Sequence, residues 1–236
     1  MNILLDVHTH TVASGHAFSS LQEMVTSAAE KGIRLLGITE HAPSIPGTCA
    51  PIYFMNLHVV PRNIQGVNLL LGAELNIIDY NGNIDLSDEY LKMLDIRLAG
   101  IHSLCFKPGT KEENTAAMIG AIKNPLIHII SHPGDGTADV DLEEVVYTAK
   151  EYQTLLEINN SSLNPIRKKI KARDNNLAIL KLCKKLNYPV ILGSDAHISF
   201  DIARYDRIYE LLRETDFPEE LILNDKIDSF MRFIQK

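Results

Sequence analysis

The strongest constraint on the fold of this chain is a regular alternation of short apolar segments with helical patterns. Seven such segments are rich in Ile, Leu and Val, and helical stretches separate them. Strands that are buried on both faces and separated by helices form parallel sheets, either open or closed into a barrel. The chain is therefore predicted to be an α/β protein. The predicted strands cover residues 3–5, 35–39, 67–72, 96–101, 126–130, 155–158 and 189–192.

Capping signals place helices between these strands. Ser20 and Glu23 have capping-box spacing, which predicts a helix to about Glu30, and Ser87 can cap a helix to Leu94. The other predicted helices cover residues 52–60, 112–123, 141–152 and 167–186, with further helices after residue 197. No linker or shift in composition divides the chain, so we expect one domain over residues 1–236.

Composition and charge are typical of a globular protein in a reducing compartment. Hydrophobic residues make up 45% of the chain and charged residues 22%, which excludes a disordered or collagen-like sequence. The formal net charge of −7 argues against a nucleic-acid partner. The three cysteines form no Cys-x-x-Cys pair, which favours reduced thiols. With no signal peptide and no bilayer-length apolar run, we expect a cytoplasmic protein without membrane contact, either monomeric or homo-oligomeric.

Histidines gather at one end of the predicted sheet. His8 and His10 follow the first strand at alternate positions, so both side chains point the same way and can bind one metal ion. A His-x-His pair alone is weak evidence, but seven of the nine histidines lie at strand ends or in the first loop. In a parallel barrel these ends converge on one mouth, where active sites of such folds lie. The candidate metal ligands are His8, His10, His16, His41, Glu74, His102, His132, Asp195 and His197.

This donor set indicates a catalytic metal centre of more than one ion. Nine nitrogen and carboxylate donors exceed the needs of one tetrahedral zinc ion. Imidazole with carboxylate suits zinc, manganese or iron, and the absence of cysteine ligands disfavours a closed zinc site. Clustered dications lower the pKa of a bound water from about 15.7 towards about 7 and can hold phosphate oxygens. A metal-bound hydroxide is then the expected nucleophile, with no catalytic side chain.

The motifs around these residues resemble those of the polymerase and histidinol phosphatase (PHP) superfamily, and within it the YcdX-like phosphatases. The segment His8–His10, followed by His16, matches the family's first signature. The segment Thr39–His41 departs from the family's Thr-Asp-His, because Glu40 stands in the middle position. The later signatures match at Glu74, His102, His132–Gly134, Glu157–Ser161 and Gly193–His197. The resemblance therefore covers about residues 6–197.

The resemblance implies a distorted (βα)7 TIM-like barrel and a phosphatase that holds three metal ions, usually zinc. Carried over by position, one ion takes His8, His10, Glu74 and Asp195, a second takes His16, His41 and His197, and a third takes Glu74, His102 and His132. Glu74 would bridge two ions. Glu40 is no expected ligand, but its longer carboxylate can re-aim His41 and alter the choice of metal.

A few other residues are candidates for weaker roles. Arg62, Asn160 and Arg167 are possible contacts of a substrate, although solvated arginines and a capping asparagine explain the same residues. His58 lies in an apolar helical stretch and His128 lies inside a strand, which favours packed or surface positions over metal binding.

The leading hypothesis is a metal-dependent phosphatase for small phosphate monoesters. The same cluster also suits a phosphodiesterase or nuclease, although the acidic charge disfavours long nucleic acids. A non-catalytic metal-binding or regulatory module is the third hypothesis, but loss of activity usually leaves gaps among the ligands, and the sequence has none. An amidohydrolase barrel also begins with His-x-His, yet no bridging lysine is found at a strand end.

Overall fold

Eight strands form one sheet that curls towards a closed barrel. The computed structural model describes residues 2–235. The strands are β1 Leu5–Asp6, β2 Leu35–His41, β3 Asn63–Ile64, β4 Val67–Asn76, β5 Ile96–Gly100, β6 Ile129–Ile130, β7 Leu155–Asn159 and β8 Val190–Gly193. Their order is β1-β2-β4-β5-β6-β7-β8, and neighbours along this path are parallel. The short β3, which the apolar pattern did not predict, pairs with β4 in the antiparallel sense.

Helices follow the strands as predicted, with one marked difference. The helices are α1 Leu21–Glu30, α2 Pro51–Asn56, α3 Asp88–Leu91, α4 Lys111–Lys123, α5 Leu142–Tyr152, α6 Ala172–Leu186, α7 Asp206–Thr215 and α8 Ile227–Ile234. Ser20 and Glu23 form the predicted capping box of α1. The basic segment before α6 is not helical, because Pro165–Arg167 forms a 3-10 turn and Lys168 takes a left-handed conformation with φ of 54°.

Apolar side chains pack on both faces of the sheet. The larger cluster fills the space between the strands and the helices, for example between Ile38 of β2 and Val25 of α1. The smaller cluster lies inside the barrel and includes Leu5, Leu35, Leu70, Ile96, Leu98, Ile129, Leu155, Ile191, Phe230 and Ile234. Most of these strand residues lie near the starts of their strands, which form the lower end of the barrel. Phe230 and Ile234 of α8 belong to the same cluster, so α8 covers this lower end.

The seam between β1 and β8 is closed by two different devices. At the mouth, Thr9 and Ala196 form an isolated parallel bridge. Below it, the Asn224 side chain replaces strand pairing. Its Nδ2 donates to the carbonyl oxygens of Leu5 at 3.2 Å and Leu192 at 2.9 Å, and its Oδ1 accepts from the Leu192 amide at 2.8 Å. The C-terminal region therefore joins the first and last strands.

The inward face of several strands changes from apolar to polar towards the mouth. Alternate strand residues share a face, so Leu70 and Glu74 of β4 point into the same space, as do Leu155 and Glu157 of β7. Glu74 was predicted just beyond its strand, but β4 extends to Asn76 and pairs Glu74 with His41 of β2. The mouth of the barrel thus carries acids and imidazoles above an apolar layer.

No helix within residues 2–235 is long and apolar enough to cross a membrane. Cys49, Cys105 and Cys183 are free thiols, in line with the expectation from their spacing. The interpretation of residues 1–236 as one domain stays a prediction.

Candidate metal centre

The candidate ligands converge on Glu74, which is fully buried. Its Oε1 lies 3.3 Å from His8 Nε2, 3.2 Å from His102 Nε2 and 2.8 Å from His132 Nε2. Its Oε2 lies 2.9 Å from His41 Nδ1. One carboxylate therefore contacts ligands from four other segments of the chain, as expected of a bridging ligand.

Asp195 collects the remaining candidate ligands. Its Oδ1 lies 3.6 Å from His8 Nε2, 3.4 Å from His10 Nε2 and 3.3 Å from His197 Nδ1. The Nε2 atoms of His197 and His16 lie 3.1 Å apart. Three trios have ligand atoms within 4.8 Å of one another: His10, His41 and His197; His8, His10 and Glu74; and His41, Glu74 and His102. The structure thus brings all nine candidates to one mouth, and their role as metal ligands stays a prediction.

Backbone carbonyls fix the orientation of two imidazoles at the rim. His16 Nδ1 donates to the Ser14 carbonyl oxygen at 3.0 Å, and His197 Nδ1 donates to the Asp195 carbonyl oxygen at 3.0 Å. Because a carbonyl oxygen only accepts, each Nδ1 must carry a proton, which leaves a lone pair on each Nε2 of the neutral ring. Two lone pairs that face each other repel unless a cation lies between them.

The same arrangement holds His8 and His10 deeper in the barrel. Glu157 accepts from His8 Nδ1 at 2.7 Å. His10 Nδ1 lies 3.0 Å from Ser14 Oγ, which acts as the acceptor because it donates its own proton to Glu40 at 2.6 Å. The Nε2 atoms of His8 and His10 therefore face each other across 3.1 Å. A shared proton or a metal ion satisfies this geometry, and two neutral rings alone do not.

The buried polar atoms of the site fit divalent metal ions. His41 Nδ1 and Glu74 Oε2 are buried and only 2.9 Å apart, yet neither has a hydrogen-bond partner among residues 2–235. Buried polar atoms without partners are rare in folded proteins and point to a missing ion or water. The donors are seven imidazoles and two carboxylates, which is a set suited to zinc, manganese or iron.

Burial and neighbouring charge act in opposite directions on the ionisable groups. Burial raises the pKa of Glu74 and of Asp195, but nearby histidines, His8 first among them, hold each pKa well below its ordinary value. Burial lowers the pKa of His132, but its hydrogen bond to Glu74 and that carboxylate's charge raise it to about 9. The carboxylates therefore stay ionised and available to cations.

Glu157 contacts two of the candidate ligands, and the sequence analysis gave it no role. Its side chain is 1% exposed, and its Oε1 accepts from His8 Nδ1 at 2.7 Å. Its Oε2 accepts from the His132 amide at 2.7 Å and from Asn159 Nδ2 at 3.1 Å. A Cβ on Gly193 would lie 1.5 Å from Oε1, so glycine is needed there to make room. Two signals were available for Glu157: it is a charged residue inside a predicted buried strand, and it begins the family signature at Glu157–Ser161.

Glu40 acts on the first loop rather than on the His41 ring. Its carboxylate accepts from the Thr11 amide, the Thr11 hydroxyl and the Ser14 hydroxyl. Ser14 Oγ in turn accepts from the His41 amide at 3.0 Å and contacts His10 Nδ1. The glutamate therefore fixes the loop that orients His10, and it also fixes the backbone of His41.

Two predicted substrate contacts do not line the cavity at the mouth: Arg62 lies at the other end of the barrel, and Asn160 follows β7 at the mouth but turns its side chain towards α7. Arg62 pairs with Asp95 at 2.8 Å and donates to the Val60 carbonyl oxygen. These partners lie near the starts of β4 and β5, at the end of the barrel opposite the donors. Asn160 Oδ1 accepts from the Arg207 amide at 3.1 Å, so this side chain caps α7.

The two remaining histidines lie outside the donor cluster, as the sequence analysis expected. His58 is exposed and donates from Nδ1 to the Met55 carbonyl oxygen at 2.8 Å. His128 is 2% exposed and contacts the Arg97 guanidinium. Both are explained by local packing.

A cavity of about 170 Å³ opens directly onto the donors. Its walls include the apolar side chains Ile45 and Leu104, the hydroxyl of Ser161, and the cationic side chains Arg167 and Lys169. Arg167 is the one predicted substrate contact that the structure places at this cavity. The site can therefore hold a small ligand against the donor cluster.

The barrel and its mouth define a class of α/β-barrel protein with a metal-capable cluster of histidines and acids. Within that class, the family model of the PHP domain matches residues 6–163. The chain belongs to the PHP domain family, which confirms the predicted family. Asp195 and His197, two members of the donor cluster, lie beyond the matched segment.

Relatives at high identity carry the name of a phosphatase. A protein of Caldicellulosiruptor bescii named "Probable phosphatase" is 47% identical over 235 residues, covering 100% of this chain and 97% of that protein. A protein of Clostridium novyi, also named as a probable phosphatase, is 46% identical over 235 residues, covering 100% of this chain and 96% of that protein. The predicted enzyme class, a hydrolase of phosphoric esters, is confirmed by these relatives.

A solved structure shares the fold. The histidinol phosphate phosphatase of Lactococcus lactis, crystallised with zinc, L-histidinol and phosphate, matches with a TM-score of 0.63 and 19% identity, over 91% of this chain and 94% of that chain. This likeness confirms the predicted distorted TIM-like barrel.

Proposed function

We propose that this chain is a phosphatase that hydrolyses small phosphate monoesters at a centre of three metal ions. The observation that carries the proposal is two pairs of imidazole Nε2 atoms that face each other across 3.1 Å, the buried pair of His8 and His10 beside Glu74 and the pair of His16 and His197 at the rim. The zinc and phosphate in the crystallised Lactococcus lactis relative support the same chemistry.

The donors divide into three sets in this proposal, and Glu74 belongs to two of them. The sets are His8, His10, Glu74 and Asp195; His16, His41 and His197; and Glu74, His102 and His132. Zinc is the proposed metal, and manganese or iron suits the same donors. When bound, such ions act as Lewis acids towards phosphate oxygens and lower the pKa of water towards about 7.

The residues of the chain orient these donors and the substrate. Glu157 and Ser14 hold the Nδ1 atoms of His8 and His10, so each Nε2 lone pair points into the site. Such partners fix the tautomer and the ring orientation of histidine ligands. Ser161 and Arg167 lie on the cavity wall, where they can contact the ester beyond its phosphate.

The small cavity and the net charge favour a small ester over a nucleic acid. Its volume of about 170 Å³ is below the range of about 300–1,000 Å³ typical of drug-sized ligands. A nucleic acid needs a long groove lined by positive charge, whereas this cavity has the size of a small ligand. The net charge of −7 also disfavours long polyanions.

The test compares p-nitrophenyl phosphate with bis(p-nitrophenyl) phosphate before and after metal removal. We expect the zinc-loaded protein to release product from the monoester at a higher kcat/KM than from the diester. A chelator should abolish this activity, and added metal should restore it. Activity that survives complete metal removal, or a preference for the diester, contradicts the proposal.

Paired histidine variants identify the site within the same experiment. We expect His8→Ala to lower monoester kcat/KM more than about 100-fold, because changes in the partners of ligands already cost about 10–100-fold. His58→Ala is the matched control, since His58 lies outside the cluster and is exposed. Anomalous scattering from crystals would count and identify the ions.

A further inference from the structure

We propose that the substrate carries a second anionic group, which binds a cationic wall formed by Arg167 and Lys169. This inference rests on the proposed phosphatase function and narrows its substrate class. It concerns the loop between β7 and α6, which the metal donors do not use. A carboxylate and a second phosphate are the two sources of such a group, because guanidinium binds both through paired hydrogen bonds.

The loop presents these two cations on a defined backbone. Asn164 Oδ1 accepts from the Ile166 amide at 3.2 Å and caps the turn that ends at Arg167. Lys168 then reverses the chain direction with its left-handed conformation. Arg167 and Lys169 line the cavity, whereas Lys168 does not. Two of three consecutive cations therefore belong to the site.

Lys169 is held in place by residues of the neighbouring loop. Its Nζ lies 2.8 Å from Asp135 Oδ2 and contacts Thr137 Oγ1. Asp135 is itself buried and accepts from the Thr137 hydroxyl at 2.6 Å. An ammonium group has three donors, so one remains for a ligand in the cavity. The position of this ammonium group is thus fixed before any substrate binds, and Asp135, which also lines the cavity, balances its charge, so that Arg167 supplies the net positive charge of the wall.

Arg167 is a cation with no compensating partner. Its guanidinium makes no hydrogen bond or ion pair with any residue from 2 to 235, although acidic residues outnumber basic ones in the chain. On the same segment Lys169, Lys171 and Arg173 each have a carboxylate partner, whereas Lys168 has none among residues 2–235 but lies outside the cavity. All five N–H donors of Arg167 are therefore available at the cavity wall.

The reacting phosphate does not account for this wall. In the proposed function, metal ions bind the phosphate oxygens, and the leaving group extends into the rest of the cavity. Arg167 is exposed, so water solvates its charge when the leaving group is neutral, whereas an anionic leaving group can pair with it directly. The geometry therefore favours an ester whose leaving group has its own negative charge.

The test uses two esters that differ in one group, 3-phosphoglycerate and glycerol 3-phosphate. We expect wild-type kcat/KM to favour 3-phosphoglycerate by at least about tenfold, which corresponds to one charge-assisted hydrogen-bonded contact. Arg167→Gln should reduce this ratio towards one, because the remaining cation, Lys169, is already paired with Asp135. Lys168→Gln is the matched control, because it removes a neighbouring charge outside the cavity, and it should keep the ratio. Propane-1,3-diol bisphosphate shows whether a second phosphate is preferred to a carboxylate.

Three results would overturn the inference. The first is a wild-type kcat/KM for 3-phosphoglycerate and for the bisphosphate that is no higher than for glycerol 3-phosphate. The others are a preference that persists in Arg167→Gln, or a preference that Lys168→Gln reduces as much as Arg167→Gln does. A ratio that persists while both rates fall would assign Arg167 to the reacting phosphate. Failure of the metal-loaded protein to hydrolyse p-nitrophenyl phosphate would instead refute the proposed function. In that case, calorimetric Kd values for the same probes still test the anion preference.

Discussion

The two ends of the barrel are built from the same strands but differ in chemistry. At the lower end, Leu70, Leu155 and Phe230 pack in a dry cluster without charge. At the mouth, Glu74 lies on the same inward face of β4 as Leu70, four residues later, and Glu157 lies on the same inward face of β7 as Leu155, two residues later. Because burying acids is costly unless they are paired, each must find a partner, and each is surrounded by imidazoles or amides. The lower end therefore stabilises the fold, and the mouth is adapted to hold cations.

The largest expected effect tests the lower end. Phe230→Ala should lower the free energy of unfolding by about 3–5 kcal/mol, because Phe230 is fully buried inside the barrel. The metal content per folded chain should not change. Chemical denaturation and metal analysis measure the two quantities, with exposed Arg232→Ala as the control. Loss of metal without loss of stability would break the comparison.

The next effect tests the mouth. Glu74→Gln should reduce phosphate release more than about 100-fold and lower the metal content, because the carboxylate contacts ligands of two proposed ions. Exposed Glu89→Gln is the control and should match the wild type. Unchanged metal content in Glu74→Gln would show that this carboxylate is not the centre of the site.

A smaller effect is expected where orientation alone changes. Glu157→Gln should weaken metal binding about 10–100-fold, since an amide cannot accept from both His8 and the His132 amide as the carboxylate does. Gly193→Ala should have a similar effect without altering the carboxylate, because its Cβ would displace Glu157. Zinc titration measures both variants against Glu151→Gln. Wild-type affinity in both would remove Glu157 from the site.

The smallest expected effect is on metal affinity, and it tests Glu40, the residue at which the chain departs from the family motif. Glu40→Asp should change metal affinity by less than about tenfold, because a shorter carboxylate loses contact with Thr11 or Ser14 but leaves every ligand in place. Competition between zinc and manganese measures affinity and selectivity together. An effect larger than that of Glu157→Gln would contradict this ranking.

Periodic patterns predicted the strands and the side of the sheet on which the histidines lie, because strand ends are marked locally. They could not predict partners far apart in sequence. Glu157 contacts His8 across 149 positions, and no local signal links the two residues. Arg62 and Asn160 were chosen for their local sequence context. Only the tertiary structure shows that Arg62 lies at the opposite end of the barrel and that Asn160 caps a helix. The short β3 is recognisable only through its pairing with β4.

The join made by Asn224 has a consequence for the order of assembly. His8 emerges early in synthesis and Asp195 late, and the strands that precede them are fully joined only after Ala196 and then Asn224 have been made. The first proposed ion thus needs donors from both halves of the polypeptide. Metal loading is therefore expected at the end of biogenesis, once the ribosome has released almost the whole chain.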